Sequence, residues 1–159
     1  MKKARCIYFA TEWEKADGKS VIQNFNDLIL LGINRLTDED EGKKIHDMAA
    51  QIPYTIMTFV GITGCSVKIV CQTTFPDGKQ PDDDRLAFIN EAYRKLFYIY
   101  STQQKMAIDK IQPTLESSCC VSVDPAAVFS EDAFMSIKRL RSYDIKFAFL
   151  RSNVSFISL

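Results

Sequence analysis

Apolar and polar positions follow one another along this chain in short runs whose period changes several times, and each change marks an element. Arg5–Ala10 carries a first apolar run of strand length, and the charged stretch from Glu12 to Lys19 reads as a connection. Asp27–Asn34 is mostly apolar, again with the length of a strand. Thr37-Asp38-Glu39-Asp40 then has the form of a capping box with acids in the first helical turn. Ile45, Met48, Ala49 and Ile52 follow at helical spacing, and Pro53 marks the end. Tyr54–Val60 and Val67–Thr74 are β-branched and aromatic, and the Gly61–Ser66 turn between them predicts a hairpin. After a turn-rich loop, Phe75–Pro81, the run Asp82-Asp83-Asp84 opens a long helix with Leu86, Ile89, Tyr93, Leu96, Phe97 and Tyr100 on its apolar side. Three aspartates there suit the positive end of the helix dipole. Cys119–Val123 is a further strand ended by Asp124-Pro125, Glu131–Leu140 a short helix, and Tyr143–Leu150 a final strand.

Between residues 27 and 123 the order is strand, helix, strand, strand, helix, strand, which is the split βαβ or ferredoxin-like plan. The expected fold is α+β: a split βαβ antiparallel sheet of four strands with both helices packed on one face. The 159 residues contain no repeat or linker and suit one domain, with a core over about residues 5–150 and a tail at 151–159. A hydrophobic content of 47% excludes wholesale disorder. Twenty basic against twenty acidic residues exclude a strongly basic nucleic-acid clamp, and only residues 133–159 depart, with five basic side chains against Asp144. No secretory apolar region follows Met1-Lys2-Lys3-Ala4-Arg5 and no window is long and apolar enough to span a membrane, so a cytoplasmic location without a membrane partner is expected. The five cysteines, Cys6, Cys65, Cys71, Cys119 and Cys120, lie mostly in apolar runs and read as buried, reduced thiols. Cys119 and Cys120 are neighbours on a strand and point to opposite faces, so a shared zinc is not expected.

Catalytic chemistry finds few footholds. The single histidine, His46, lies among Lys43, Lys44 and Asp47 and reads as a surface residue rather than a general base. Neither a phosphate-binding GxxxxGK[ST] loop nor a dinucleotide fingerprint is present. A sheet with two helices on one face can stack single-stranded bases on aromatics of its central strands, but Leu28–Asn34 holds no aromatic. Two-metal chemistry on the first strand of the split motif needs carboxylates at i and i+2, and that pair is Gly32 and Asn34.

Three segments resemble one family in order and spacing. They are Leu28-Ile29-Leu30-Leu31-Gly32-Ile33-Asn34-Arg35-Leu36, Gly61-Ile62-Thr63-Gly64-Cys65-Ser66-Val67-Lys68-Ile69, and Ser118-Cys119-Cys120-Val121-Ser122-Val123-Asp124-Pro125. Together they resemble the N-terminal domain of bacterial virulence-associated protein E (VirE)-like proteins, related in fold to archaeo-eukaryotic primases, over roughly residues 5–135. The resemblance implies a primase-like sheet whose paired aspartates, which would hold divalent ions, fall on Gly32 and Asn34. It therefore implies a pseudoenzyme with no catalytic residue, no metal and no cofactor. Thr63, Gly64 and Lys68 match retained motif positions and are carried over as nucleic-acid contacts.

The expected function is a catalytically inactive primase-like domain serving replication or transfer of mobile genetic elements. Its expected partners are single-stranded or duplex DNA and helicase-like replication proteins. Lys138, Arg139 and Arg141, in the basic segment that also holds Lys146 and Arg151, join Thr63, Gly64 and Lys68 as candidate DNA contacts. The alternative is a protein-interaction or assembly module in which Phe149, Phe156 and the alternating tail Ser152–Leu159 dock on a partner. A third reading, residual catalysis by Asp109, Glu116 or Asp124, is disfavoured because Asp124 precedes a proline and suits a turn cap.

Overall fold

The structure, a computed structural model, describes residues 6–74, 85–120, 124–130, 133, 135 and 136. It is an α+β arrangement of mostly antiparallel sheets with two α-helices. In chain order the elements are β1 (Cys6–Tyr8), β2 (Thr11–Ala16), β3 (Lys19–Phe25), β4 (Leu28–Asn34), α1 (Glu39–Ala50), β5 (Thr55–Val60), β6 (Ser66–Thr74) and α2 (Arg85–Tyr98). A π-helical turn, Ile99–Gln103, continues α2, and three short strands follow: β7 (Ser118–Cys120), β8 (Val128–Phe129) and β9 (Met135–Ser136). The main sheet runs β4-β6-β5-β8, with β9 pairing in parallel with the end of β6.

Register explains how the core forms. Ile29, Leu31 and Ile33 of β4 stand directly opposite Cys71, Ile69 and Val67 of β6. With a period of two, all six side chains share one face, and all are at most 2% exposed. Onto that face pack Ala49 and Ile52 from the α1 region and Phe88, Ile89, Ala92 and Leu96 from α2, in one continuous cluster with Tyr100. Each fully buried Leu or Ile contributes about 1.5–3 kcal/mol relative to exposure. Helix α1 starts one residue later than a capping box on Thr37–Asp40 places it. Asp38 is the N-cap and accepts from the Glu41 N–H, while the Glu41 carboxylate accepts from both the N–H and the hydroxyl of Thr37. Those two bonds, the backbone one first, hold the Glu41 carboxyl below its ordinary pKa.

Several expectations are corrected. The stretch from Glu12 to Lys19 is not a connection but most of a β-hairpin, β2–β3, turning at Asp17-Gly18. Both turn residues have positive φ, 51° and 75°, the type I′ geometry whose twist matches a hairpin. Among the described residues, the strand containing Cys119 does not join the main sheet. It pairs with β1 in a separate two-stranded ribbon, Cys6 opposite Cys120, Ile7 opposite Cys119 and Tyr8 opposite Ser118. The place beside β4 is met instead by Asp109, whose N–H donates to the Gly32 carbonyl at 2.9 Å. Within the expected helix over 131–140, Met135–Ser136 is a strand.

His46 is buried, at 3% exposure, because the inward stripe of α1 runs through Gly42, His46 and Ala49, while Met48 is exposed. The cysteines are mostly not buried: Cys6, Cys65 and Cys120 are exposed, Cys119 is half-buried, and only Cys71 lies in the core. Asp124 forms the cap expected before a proline, Oδ1 accepting from the Ala126 N–H at 2.9 Å and Oδ2 from the Val60 N–H at 2.7 Å. The expected elements at 75–84 and 141–159 lie outside the described residues. No described helix is long and apolar enough to cross a membrane.

Candidate functional site

Because one face of the main sheet is taken by the helices, the alternate side chains emerge on the other. On that outer face Gly32 of β4, Lys68 of β6 and Phe59 of β5 form a row across three strands, since Lys68 is the register partner of both Gly32 and Phe59. Asn34 lies two residues from Gly32 on the same face. The next rows bring Met57 opposite Val70, and Phe129 of β8 opposite Met57. Phe129 is 58% exposed, a large apolar ring at the end of the sheet order.

The polar part of the face is a linked chain. The Lys68 ammonium donates to Asn34 Oδ1 at 2.9 Å, and Asn34 donates from Nδ2 and, at 3.0 Å, from its backbone N–H to Asp109 Oδ2. The amide orientation follows from chemistry, because lysine only donates and aspartate only accepts. Glycine at 32 leaves room for the lysine tip: a Cβ there would lie 3.3 Å from Lys68 Nζ, which would have to give by a few tenths of an ångström. The ammonium thus reaches over the β4 backbone toward Asn34.

Asp109 is held in place from the helix side. Tyr93 of α2 donates its hydroxyl to the Asp109 carbonyl at 2.8 Å and accepts from the Ile111 N–H at 3.1 Å. Burial is the main cause that pushes the Tyr93 phenol above its ordinary pKa. The Ile111 bond opposes the rise and the neighbouring Asp109 charge adds to it. Tyr93 therefore fixes the segment that carries Asp109, and Asp109 orients Asn34.

This cluster holds one carboxylate and one ammonium. Two-metal chemistry requires at least a pair of carboxylates facing a common ion, and among the described residues no group of three or more His, Cys, Asp or Glu side chains could hold a metal. Asp109, Glu116 and Asp124 are not such a group. Asp109 is bonded to Asn34, Asp124 caps its turn, and Glu116 is exposed. Among the described residues no carboxylate pairs with Lys68 within ion-pair distance. The ammonium keeps donors available for an anion, and Phe59 and Phe129 place aromatic surface on the same face.

The other sequence-derived candidates lie elsewhere. Thr63 and Gly64 are in the β5–β6 turn, with the Gly64 N–H donating to the Gly61 carbonyl and Gly64 at φ 74°. That turn lies against the first turn of α1, where Glu39 approaches Gly64 and Asp38, Asp40 and Glu41 add negative charge. Lys138, Arg139 and Arg141 lie outside the described residues. Phe59, Phe129, Tyr93 and the role of Asp109 were not found from the sequence. No alternation in Tyr54–Val60 marks Phe59, because the residues β5 buries are Thr55 and Thr58, three apart across a register irregularity, and the bond between Tyr93 and residue 109 is tertiary and has no local signature.

A family model described as BT4734-like, N-terminal domain, matches residues 1–129. No curated protein and no solved structure matches the chain. The match overturns the resemblance to the VirE-like N-terminal domain, which is a different family. Its three motifs are short, and the first is mostly apolar, so a buried strand alone generates much of that motif's likeness. The matched region runs from the first residue through β8 and includes the whole outer-face row, and the chain belongs to the BT4734-like N-terminal domain family.

Proposed function

We propose that this domain is a non-catalytic nucleic-acid-contacting module that uses the outer face of its main sheet for single-stranded DNA. The observation that carries the reading is the row Gly32, Lys68, Phe59, in which an ammonium with no carboxylate partner among the described residues stands beside an aromatic ring. In this reading Lys68 meets a phosphate as a point charge, and Phe59 and Phe129 offer surfaces on which bases stack. The β4-β6-β5 order with both helices on one face supports a split βαβ, primase-like frame for it. Gly32 and Asn34 supply no carboxylate, so the module binds without turning over. Service to replication or mobile-element transfer belongs to the same proposal; with the VirE-like resemblance overturned, only a DNA-binding activity would support it.

The test is fluorescence anisotropy of a labelled single-stranded oligonucleotide at low salt. Lys68→Ala weakens binding uniformly across sequences and lowers the salt slope by about 0.7, the share of one phosphate on a single strand. Phe129→Ala weakens it by about 5- to 150-fold without changing that slope. Equal binding by the wild type and both variants would remove the outer face from the account.

A second reading, a protein-interaction module, is favoured by one observation. Phe129 and Val128 are both exposed on the last strand of the β4-β6-β5-β8 order, where a partner's extended segment can add to the sheet. Anisotropy that stays flat with DNA at low salt would favour it.

A further inference from the structure

We propose that Cys6 and Cys120 are a thiol–disulfide couple, closed by a low-molecular-weight disulfide of the glutathione class into a cross-strand bridge that ties β1 to β7. The two residues are direct partners in an antiparallel pair. Such partners have Cα atoms about 4.5 Å or about 5.5 Å apart, depending on the pair type, and both values fall in the range that disulfides span. Both side chains are exposed, so a small disulfide can reach them. The remaining thiols are placed differently. Cys119 is half-buried on the opposite side of the ribbon, toward the Lys68 charge, Cys65 is in the β5–β6 turn, and Cys71 is buried.

The chemistry balances within the couple and its oxidant. One cysteine thiolate attacks the small disulfide, forming a mixed disulfide and releasing one small thiol. The second cysteine thiolate attacks the protein sulfur of that mixed disulfide and releases the other. Two protein thiols are oxidised, one disulfide is reduced to two thiols, and the two protons pass to the released thiolates. Partial desolvation and the adjoining Cys120 thiol hold the Cys6 thiol above its ordinary pKa, so closure is faster in mildly alkaline buffer. The bridge matters because, among the described residues, β1 and β7 are three residues each and pair with each other alone in a two-stranded ribbon. Closing it joins residue 6 to residue 120 and restricts the unfolded chain over nearly the whole described length.

The full chain is incubated with oxidised and reduced glutathione at set ratios, quenched with acid, and read by intact mass and peptide mapping. The expected product is a monomer lighter by two hydrogens, with a thermal midpoint higher by on the order of 10 °C that returns when dithiothreitol is added. Cys6→Ser and Cys120→Ser each abolish the internal bridge and accumulate a glutathione adduct instead. Cys119→Ser keeps the bridge, and mapping on that variant links the Cys6 and Cys120 peptides. Closure that survives in Cys6→Ser, a bridge mapped to Cys65 or Cys119, or adducts without closure would overturn the assignment. A bridge that leaves the midpoint unchanged would overturn its role as a clamp.

Discussion

Asp27 gives the sharpest thermodynamic test of the packing described above. It precedes β4 in the left-handed region, at φ 54°, and is only 8% exposed. Its carbonyl accepts from the N–H and the hydroxyl of Thr73, both at 3.0 Å, which ties the start of β4 to β6. Its carboxyl fares worse. Oδ1 is buried with no hydrogen-bond partner among the described residues, and burial pushes the group up to about 6 from an ordinary 3.8. Below about pH 4 folded and unfolded chains both hold the proton, and the site is neutral in its effect. As pH rises toward 6 the unfolded chain releases the proton and the folded chain keeps it, so stability falls with pH; above 6 the folded chain carries a buried charge and the loss is complete. Two pKa units correspond to about 3 kcal/mol, and residual solvent screening reduces this to about 1–2 kcal/mol. Asparagine keeps the shape, tolerates the left-handed backbone and cannot ionise. Urea unfolding of the wild type and Asp27→Asn, in steps from about pH 4 to about pH 8, should show the variant gaining about 1–2 kcal/mol on the wild type across that window. A gap that does not change with pH would refute the reasoning, because a purely steric effect of the amide has no titration.

Three further substitutions probe separate contacts. Gly42→Ala should raise stability by about 0.5–1 kcal/mol, since helix α1 gains a better helix former and the added Cβ meets Gly64 O and Leu36 Cδ1 at an ordinary 3.5 Å; a lower thermal midpoint would contradict this. Asp124→Ala should cost about 1–3 kcal/mol in urea unfolding, because the Val60 and Ala126 N–H groups both lose their acceptor. Tyr100→Phe should cost about 1–2 kcal/mol by the same assay, since the buried hydroxyl bonds Thr55 Oγ1 at 2.6 Å and Cys71 Sγ at 3.2 Å, and an unchanged midpoint would show that network to be dispensable.

What the sequence discloses here follows from the range of each interaction. β4, α1 and α2 were legible because each buries one face and so writes its period into its own residues, whereas β5 and β6 were legible from their β-branched and aromatic content. The β2–β3 hairpin was not. Most of its side chains are exposed on both faces, so its alternation is weak and its charges resemble those of a loop, although Asp17-Gly18 marked the turn. His46 was misplaced by the phase of a stripe: Met48 is apolar and His46 polar, yet the fold turns His46 inward. The pairing of β7 with β1 joins residues more than a hundred positions apart, and no local pattern announces it. At the candidate site, Gly32, Asn34 and Lys68 were singled out only through the VirE-like resemblance that the family match overturns. The Tyr93–Asp109–Asn34 chain is assembled only by tertiary bonds, and Phe59 reads from sequence as one more strand residue.

The central claim is that the outer face binds single-stranded nucleic acid by charge and stacking, without a metal. The direct measurement is anisotropy of labelled single-stranded and duplex DNA titrated with the full chain over a range of salt, with and without magnesium. The account predicts binding that weakens as salt rises, prefers the single strand, and is unchanged when magnesium is removed with a chelator at constant ionic strength. Binding that requires magnesium, or that favours the duplex, would contradict it.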